Sequence, residues 1–317
     1  MKQLTLFLLL ALVAQPASAD ENKHTILDLK KVTPDYHVQG EYSGKIGDDQ
    51  KYGMQVIAQG DDKFKAVVYP GGLPGDGYVG YDRIFAEGAT EDGVTTISSD
   101  GGYALIKDGV AEIYIDDNPV GEIKRVERRS ESIGKKPPEG AVVLFDGSSA
   151  DGFTDGELMF ENLLLAGCES KEKFGDHSMH IEFRLPYEAY DRGQARGNSG
   201  VYIQGRYELQ VLDSFGLEGE DNECGGIYSV ARPKVNACFP PLTWQTYDID
   251  FKQAKYEDGK KTESARVTIH QNGILIHKDL ELKGTPGKYP EEAGDGPLFL
   301  QGHGNQVLYR NIWVVRK

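Results

Sequence analysis

Asn198 to Ser214 read NSGVYIQGRYELQVLDS, and the second half of this stretch alternates apolar with polar side chains. Successive side chains of a β-strand point to opposite faces, so Tyr207, Leu209 and Val211 lie on one face. Glu208 and Gln210 lie on the other face. The stretch predicts a strand with one face in a core and one face lined with hydrogen-bonding groups, which is also the pattern of an ordinary half-buried strand.

The rest of the C-terminal half repeats this alternation in several short segments. These segments are Met179 to Leu185, Val201 to Gln204, Leu298 to Gln301 and Val307 to Val315. Asn272-Gly273 separates two further runs and is a strong hairpin signal. No long helical pattern interrupts them, so the sequence predicts an all-β domain made of two antiparallel sheets packed face to face.

The N-terminal half also reads as all-β, in a smaller domain that spans residues 20–130. Its predicted strands are short and closely spaced, which is typical of a small sandwich or barrel: Tyr36–Ile46, Gly53–Ala58, Phe64–Tyr69, Ala104–Ile106 and Glu112–Ile115. No motif in this domain indicates its role. The charged segment that follows contains Pro137-Pro138 and predicts a linker over residues 131–141, before a second domain over residues 142–317.

The first 19 residues have the features of a secretory signal peptide. Lys2 precedes the apolar run Leu4 to Val13, and Ala17-Ser18-Ala19 is a small-residue cleavage site. The sequence therefore predicts an exported protein, periplasmic or extracellular, and the apolar run is too short to span a membrane.

The chain is strongly acidic, and this charge argues against one class of partner. The net charge of the full chain is −15, and removal of Lys2 with the leader makes it −16. Such a surface repels phosphate backbones, so nucleic-acid binding is not expected.

Three cysteines occur in a chain that is predicted to reach an oxidising compartment. Cys224 and Cys238 flank a short segment, and a disulfide between them would contribute about 3 kcal/mol by loop closure. We predict that disulfide, with Cys168 as a buried apolar side chain.

Polar residues occupy the outward positions of several predicted strands. If these strands are neighbours in one sheet, their amides, carboxylates and rings form a surface that suits a sugar; the alternative is a plain solvated face. The residues are His180, Glu182, Arg184, Tyr202, Gln204, Glu208, Gln210, Gln301, His303 and Asn305.

Glu208 is the best candidate for acid–base chemistry, because burial beneath a ligand would raise the pKa of its carboxyl. A structural ion pair with Arg206 or Arg184 is an equally good interpretation. A conventional glycosidase needs two carboxylates, and Asp213 falls on the opposite face of an unbulged strand.

His303 is the second candidate, since Gly302 and Gly304 leave its imidazole exposed and its ordinary pKa suits proton transfer. A loop histidine without function is the alternative. Asp176-His177 has no further ligand at a suitable spacing, so no metal site and no cofactor are predicted.

The C-terminal half, from about Val142 to Arg316, resembles the 3-keto-disaccharide hydrolase domain family (3-keto-glucoside 1,2-lyase / 3-keto-2-hydroxyglucal hydratase). Eight motifs, in order, carry the resemblance: LFDG (144–147), HIEFR (180–184), NSGVY (198–202), RYELQVLDS (206–214), CGGIY (224–228), WQTYDIDF (244–251), LQGHGN (300–305) and YRNIWV (309–314). The chain departs from the family pattern at Phe153 and at Gly302, where Trp and Asp are usual.

The resemblance implies a concanavalin-like jelly-roll fold and cleavage of 3-keto-glycosides by C1–C2 elimination, hydration, or both. On this hypothesis Glu208 and His303 transfer protons. The expected substrate-binding residues are Arg184, Asn198, Tyr202, Arg206, Gln210, Asp213, Gln301 and Asn305. The alternative is a non-catalytic, lectin-like carbohydrate-binding protein of the cell envelope, because the same fold often binds glycans without cleaving them.

Overall fold

The computed structural model describes residues 25–80, 82–284 and 286–317, and strands dominate these ranges. The predicted signal peptide lies outside them. Within these ranges, helical structure is confined to one short α-helix, α1 (Pro34–Val38), and to two 3₁₀ turns, Leu29–Lys31 and Gly193–Ala195. The predicted all-β class is therefore confirmed. The predicted start of the first strand at Tyr36 was wrong, because Pro34 begins a helical turn there.

The N-terminal domain is a closed eight-stranded barrel in the order β1-β10-β9-β8-β7-β6-β3-β2, and β4 and β5 form a parallel pair beside it. Its strands are β1 (Gly40–Ile46), β2 (Gln50–Ala58), β3 (Lys63–Pro70), β4 (Leu73–Pro74), β5 (Gly77–Tyr78), β6 (Ile84–Glu91), β7 (Val94–Ser99), β8 (Gly102–Lys107), β9 (Val110–Ile115) and β10 (Asn118–Val126). Tyr42, Met54 and Phe64 lie in its core. Closure leaves the barrel without unpaired strand edges.

The C-terminal domain is a sandwich of an eight-stranded sheet and a five-stranded sheet. Its strands are β11 (Val142–Phe145), β12 (Phe153–Thr154), β13 (Leu158–Met159), β14 (Leu163–Leu165), β15 (Cys168–Phe174), β16 (His177–Arg184), β17 (Ser199–Ile203), β18 (Tyr207–Val211), β19 (Trp244–Lys252), β20 (Lys255–Glu257), β21 (Lys260–Glu263), β22 (Ala265–Gln271), β23 (Ile274–Leu282), β24 (Gly296–Leu300) and β25 (Leu308–Arg316).

The larger sheet has the order β13-β14-β25-β16-β19-β22-β23, with β11 also paired to β25. The smaller sheet has the order β12-β15-β24-β17-β18, and β20 and β21 form a separate hairpin. The core lies between the two sheets: Val201 and Leu209 enter it from the smaller sheet, and Ile181 and Phe183 from the larger one. The predicted arrangement of two packed sheets is thus confirmed.

The first part of the predicted linker is packed on the outer face of the larger sheet. The backbone N–H of Gly134 donates to Glu182 Oε1 at 2.6 Å, and the indole N–H of Trp313 donates to the Lys135 carbonyl at 3.2 Å. The hydroxyls of Ser130 and Thr246 lie 2.6 Å apart. This segment therefore covers the polar face of the larger sheet.

The barrel and the sandwich share a hydrophobic cluster. Tyr187 and Leu242 of the sandwich pack against the barrel core. Ile26, ahead of the barrel, forms a bridge with Tyr187 through a 3.0 Å backbone hydrogen bond. The Arg196 guanidinium adds a hydrogen bond of 3.2 Å to the Ala58 carbonyl.

The structure corrects the disulfide prediction, because all three cysteines are free and buried. Cys224 and Cys238 do meet, and their thiols hydrogen-bond each other. Cys224 Sγ also lies 3.3 Å from the Tyr247 hydroxyl. The spacing between the two cysteines predicted that they come together, but spacing does not decide whether the S–S bond forms. Cys168 is a buried side chain, as predicted.

Candidate functional site

The outer face of the smaller sheet carries the candidate site. In the register of β17 and β18, Tyr202 lies opposite Glu208 and Gly200 lies opposite Gln210. On the other side of β17, Phe299 of β24 lies opposite Tyr202. The face that points away from the core therefore presents an acid, an amide and two aromatic rings on neighbouring strands.

Glu208 is the strongest acid–base group on this face. Its side chain is 4% exposed. Burial raises the pKa of Glu208 from its ordinary value of 4.5 to about 7, although a hydrogen bond from Tyr202 acts in the opposite direction. The carboxyl group therefore exchanges its proton near neutral pH, which suits a general base.

Tyr202 connects Glu208 to the next strand. Burial raises the pKa of the Tyr202 phenol, and the neighbouring charge of Glu208 raises it further. The hydroxyl therefore stays protonated and donates to Glu208, while it accepts a 3.0 Å hydrogen bond from Gln301 Nε2. The acid, the phenol and the amide form one hydrogen-bonded chain across three strands.

Gly200 leaves the space that these side chains occupy. A Cβ at this position would lie 2.8 Å from a ring carbon of Tyr202 and 3.0 Å from Glu208 Oε1. Real Cβ atoms essentially never approach so closely. The glycine in the NSGVY motif therefore has a steric role in the site, which the sequence pattern did not indicate.

A cluster of amides lies at the end of this face beyond Gly200. The Gln194 side-chain oxygen accepts from Asn198 Nδ2 at 3.1 Å and from Gln210 Nε2 at 3.2 Å. The Asn222 carbonyl accepts from Gln210 Nε2 as well, at 3.3 Å. The Asn198 side-chain oxygen is buried and has no partner among the described residues. The structure thus brings Asn198 and Gln210 together through Gln194, which the sequence analysis missed.

An irregular segment extends the smaller sheet beyond β18. Gly225 donates to the Gln210 carbonyl at 3.0 Å, and Tyr228 donates to the Glu208 carbonyl at 3.1 Å. The Tyr228 phenol is close enough to Tyr202 for its charge to affect the pKa of that residue. Tyr228 therefore belongs to the site, and its position in the CGGIY motif was the one signal that could have found it.

The loop after β24 holds His303, which is exposed. One end of the loop is fixed by a hydrogen bond from the Gln301 N–H to the Gly200 carbonyl, at 2.9 Å. Asn305 fixes the other end: its Nδ2 donates to Glu188 Oε2 at 2.8 Å. The loop thus starts beside the site, and the pairing of His303 with Glu208 stays a prediction.

Two residues that the sequence analysis did not single out shape this loop. Glu188 is fully buried, and it accepts hydrogen bonds from Thr25, the Gly197 N–H and Asn305. Gly167 packs against Gly302. A Cβ added at position 302 would lie 3.1 Å from the Gly167 Cα. This close approach gives a physical reason for glycine at position 302, where Asp is usual.

Arg184 does not lie on the face that carries Glu208. It belongs to β16 of the larger sheet, where its Nη2 donates to the Leu27 carbonyl at 3.3 Å and its guanidinium lies 5.2 Å from the Trp244 ring centroid. His180 and Glu182 point outward from the same strand. The alternation predicted their orientation correctly, but alternation alone cannot assign a strand to one of two sheets.

Arg206 and Asp213 are engaged at either end of β18. Arg206 Nη1 donates to the Gly294 carbonyl at 2.8 Å, beyond the turn that joins β17 to β18. Asp213 Oδ2 accepts from Arg196 Nε at 2.6 Å, on the side of the barrel. The Arg196–Asp213 ion pair does not involve Glu208. Arg184 lies on the other sheet, so the alternative in which Arg184 neutralises Glu208 does not hold.

Two searches of the described residues give negative results. No group of three or more His, Cys, Asp or Glu side chains there could hold a metal ion. No helix in the same ranges is long and apolar enough to cross a membrane.

The fold and the site define an all-β sandwich protein with a buried acid among amides and phenols on one outer face, and the family match below makes it a carbohydrate-active one. Residues 140–315, more than half of the chain, match the 3-keto-alpha-glucoside-1,2-lyase-like domain family, and the chain belongs to that family.

One solved structure agrees with this assignment. A Parabacteroides distasonis protein, provisionally named as a glycosyl hydrolase, is 30% identical over 57% of this chain and 85% of its own, with a TM-score of 0.53. A second protein of that organism, with the same provisional name, is 18% identical over 56% of this chain and 94% of its own, with a TM-score of 0.41. No curated protein gives a significant match.

Proposed function

We propose that this protein is an enzyme that cleaves 3-keto-glycosides by elimination across C1 and C2, followed by hydration. The observation that carries the proposal is Glu208: a buried carboxyl with a pKa of about 7, hydrogen-bonded to a phenol on the outer face of the smaller sheet. One base of this kind is what the reaction needs. The two carboxylates of an ordinary glycosidase are not required.

The chemistry follows from the ketone at C3. Ionised Glu208 takes the C2 proton, and the C2–H electron pair forms the enolate C2=C3–O⁻. The enolate then collapses to restore the C3 ketone and form C1=C2, while the C1–O bond breaks and the departing oxygen accepts a proton. Water adds its oxygen to C1 and returns a proton to C2, so the net reaction is hydrolysis.

The remaining polar groups of the face suit the other tasks of this reaction. Gln210 and Gln301 are amides that orient sugar hydroxyls. The unpartnered side-chain oxygen of Asn198 accepts a hydrogen bond from one of these hydroxyls. The Tyr202 phenol donates its one proton to Glu208 at the start of the reaction, and it can turn to the charge that develops on oxygen once Glu208 has taken the C2 proton. His303, exposed on the adjacent loop, is the acid that we assign to the departing oxygen. The predicted signal peptide leads us to propose that cleavage takes place outside the cytoplasm.

The test is incubation of the protein with a 3-keto-disaccharide, with monosaccharide release followed over time. Glu208→Gln keeps the shape of the side chain and removes the base, so we expect turnover to fall at least about 100-fold. Glu257→Gln, at an exposed carboxyl of the β20–β21 hairpin, is the matched control and should retain full activity. Wild-type turnover by Glu208→Gln would refute the site, and saturable binding without turnover by the unaltered protein would favour the lectin-like alternative.

A further inference from the structure

A cavity of about 400 Å³ lies between the barrel and the sandwich, away from the outer face that carries Glu208. One side of it is formed by the barrel strands β2, β3 and β6. The other side is formed by the turn that contains Arg192 and Arg196 and by the segment from Asp213 to Leu217. The cavity exists only because the two domains are packed together.

The walls of this cavity are mainly apolar. Ile57, Val67 and Phe215 are buried and belong to one hydrophobic cluster that joins the domains. At the rim, Phe85 is 62% exposed and Leu217 is 41% exposed. An exposed aromatic ring beside a recess with apolar walls provides a contact surface for the apolar body of a small ligand.

The side of the cavity formed by the sandwich carries two guanidinium groups and one carboxylate. Arg196 is 4% exposed; its Nε donates to Asp213 and its Nη1 donates to the Ala58 carbonyl. Its Nη2 is buried and has no partner among the described residues. A buried guanidinium N–H without an acceptor is costly, and an anionic ligand would satisfy it.

Arg192 adds a second guanidinium, whose described acceptors are all neutral carbonyls. Its Nη1 donates to Ala189 and Asp191, and its Nη2 donates to Gln59, at 2.7 to 2.8 Å. The charges of Arg192 and Arg196 repel each other; Asp213 pairs with Arg196, and Asp191, which does not line the cavity, partly offsets Arg192. Lys65 and Glu87, opposite each other on β3 and β6 at the rim, balance in charge. The charged side chains that line the cavity therefore sum to one net positive charge, in a chain whose net charge is −15.

We propose that this interdomain cavity binds a small monocarboxylate with an apolar body, with the carboxylate on Arg196 and Arg192 and the apolar part against Phe215 and Phe85. This site is separate from the proposed active site and does not depend on the proposed reaction. Planar guanidinium groups pair well with carboxylates.

Benzoate is the probe, and benzamide is its neutral counterpart of nearly the same shape. Titration calorimetry should give saturable binding of benzoate at one site, at least about tenfold tighter than benzamide, because a charge-assisted hydrogen bond contributes about 1.5 kcal/mol or more. Equal binding of the two compounds, or no saturable binding of benzoate, would overturn the proposal.

Variants locate the binding site. Arg192→Gln, at an exposed residue, should weaken benzoate binding about tenfold, and Phe85→Ala should weaken it several-fold. Arg232→Gln changes another exposed arginine and Ile84→Ala another exposed apolar residue, both outside this cavity, and neither should have an effect. Glu208→Gln should also bind benzoate normally, so a failure here is distinguishable from a failure of the proposed enzyme. Equal losses in Arg192→Gln and Arg232→Gln would overturn the assignment.

Discussion

Replacement of Glu208 by Gln should increase the free energy of unfolding at alkaline pH, and this gain should shrink as the pH falls. Burial raises the pKa of this carboxyl from 4.5 to about 7, so the folded state binds its proton more tightly than the unfolded state does. A group with a raised pKa contributes stability below its unfolded pKa, and that stability is lost as the pH rises through the folded pKa. Glutamine does not titrate and escapes this loss.

The magnitude follows from the size of the shift. Each unit of pKa difference corresponds to about 1.4 kcal/mol. Between pH 5 and pH 8.5, the free energy of unfolding of Glu208→Gln should therefore rise relative to the unaltered protein by about 2 kcal/mol, after allowance for solvent screening.

Urea unfolding at pH 5, 6, 7 and 8.5 measures this difference, with Glu257→Gln as the control at an exposed carboxyl. The control should show no comparable trend. If the difference in the free energy of unfolding between Glu208→Gln and the unaltered protein stays constant over this pH range, the pKa of Glu208 is not raised and the reasoning is refuted. The same ionisation predicts that the acidic limb of the pH–rate profile for 3-keto-disaccharide cleavage has its midpoint near pH 7.

Three further predictions test other contacts. Gly200→Ala should reduce turnover at least about tenfold with an unchanged circular dichroism spectrum, because the added Cβ would meet Tyr202 and Glu208. Gly101→Ala is the control, because a Cβ there would come no closer than 4.0 Å to another atom, Ser99 Oγ. Equal activity of the two variants would contradict the steric role of Gly200. Tyr202→Phe removes a hydrogen bond that lowers the pKa of Glu208, so the midpoint of the pH–rate profile should move upward; a midpoint that stays in place or falls would count against it. Alkylation in denaturant without reductant should modify all three cysteines, and protection of two of them would restore the predicted disulfide.

The sequence predicted most of the C-terminal fold because its strands have one buried face and therefore a strict alternation. Leu209 in β18 and Ile181 in β16 follow it fully. The barrel strands β6, β7 and β10 were missed, because Ile84–Glu91, Val94–Ser99 and Asn118–Val126 hold few apolar residues among small and polar ones. In a small barrel, pairing with two neighbours stabilises such strands even where the apolar pattern is weak.

The site was predicted in part, and the limits have one physical origin. Glu208, Tyr202, Gln210 and Gln301 come together because their strands are neighbours in the smaller sheet. Arg184 has the same local pattern but belongs to the other sheet, and only the order of the strands distinguishes the two cases. Tyr228 and Gln194 lie in irregular segments, where no periodicity identifies the direction of a side chain.

The packing of residues 130–135 on the larger sheet has a practical consequence for anyone who wishes to produce the sandwich alone. The family match begins at residue 140, so a truncation placed there would remove the segment that hydrogen-bonds the Glu182 carboxylate and the Trp313 indole. A boundary chosen by homology would thus expose to solvent the part of the larger sheet that this segment covers in the full chain. A fragment that begins at about residue 129 keeps this segment and should be the more stable and more soluble of the two.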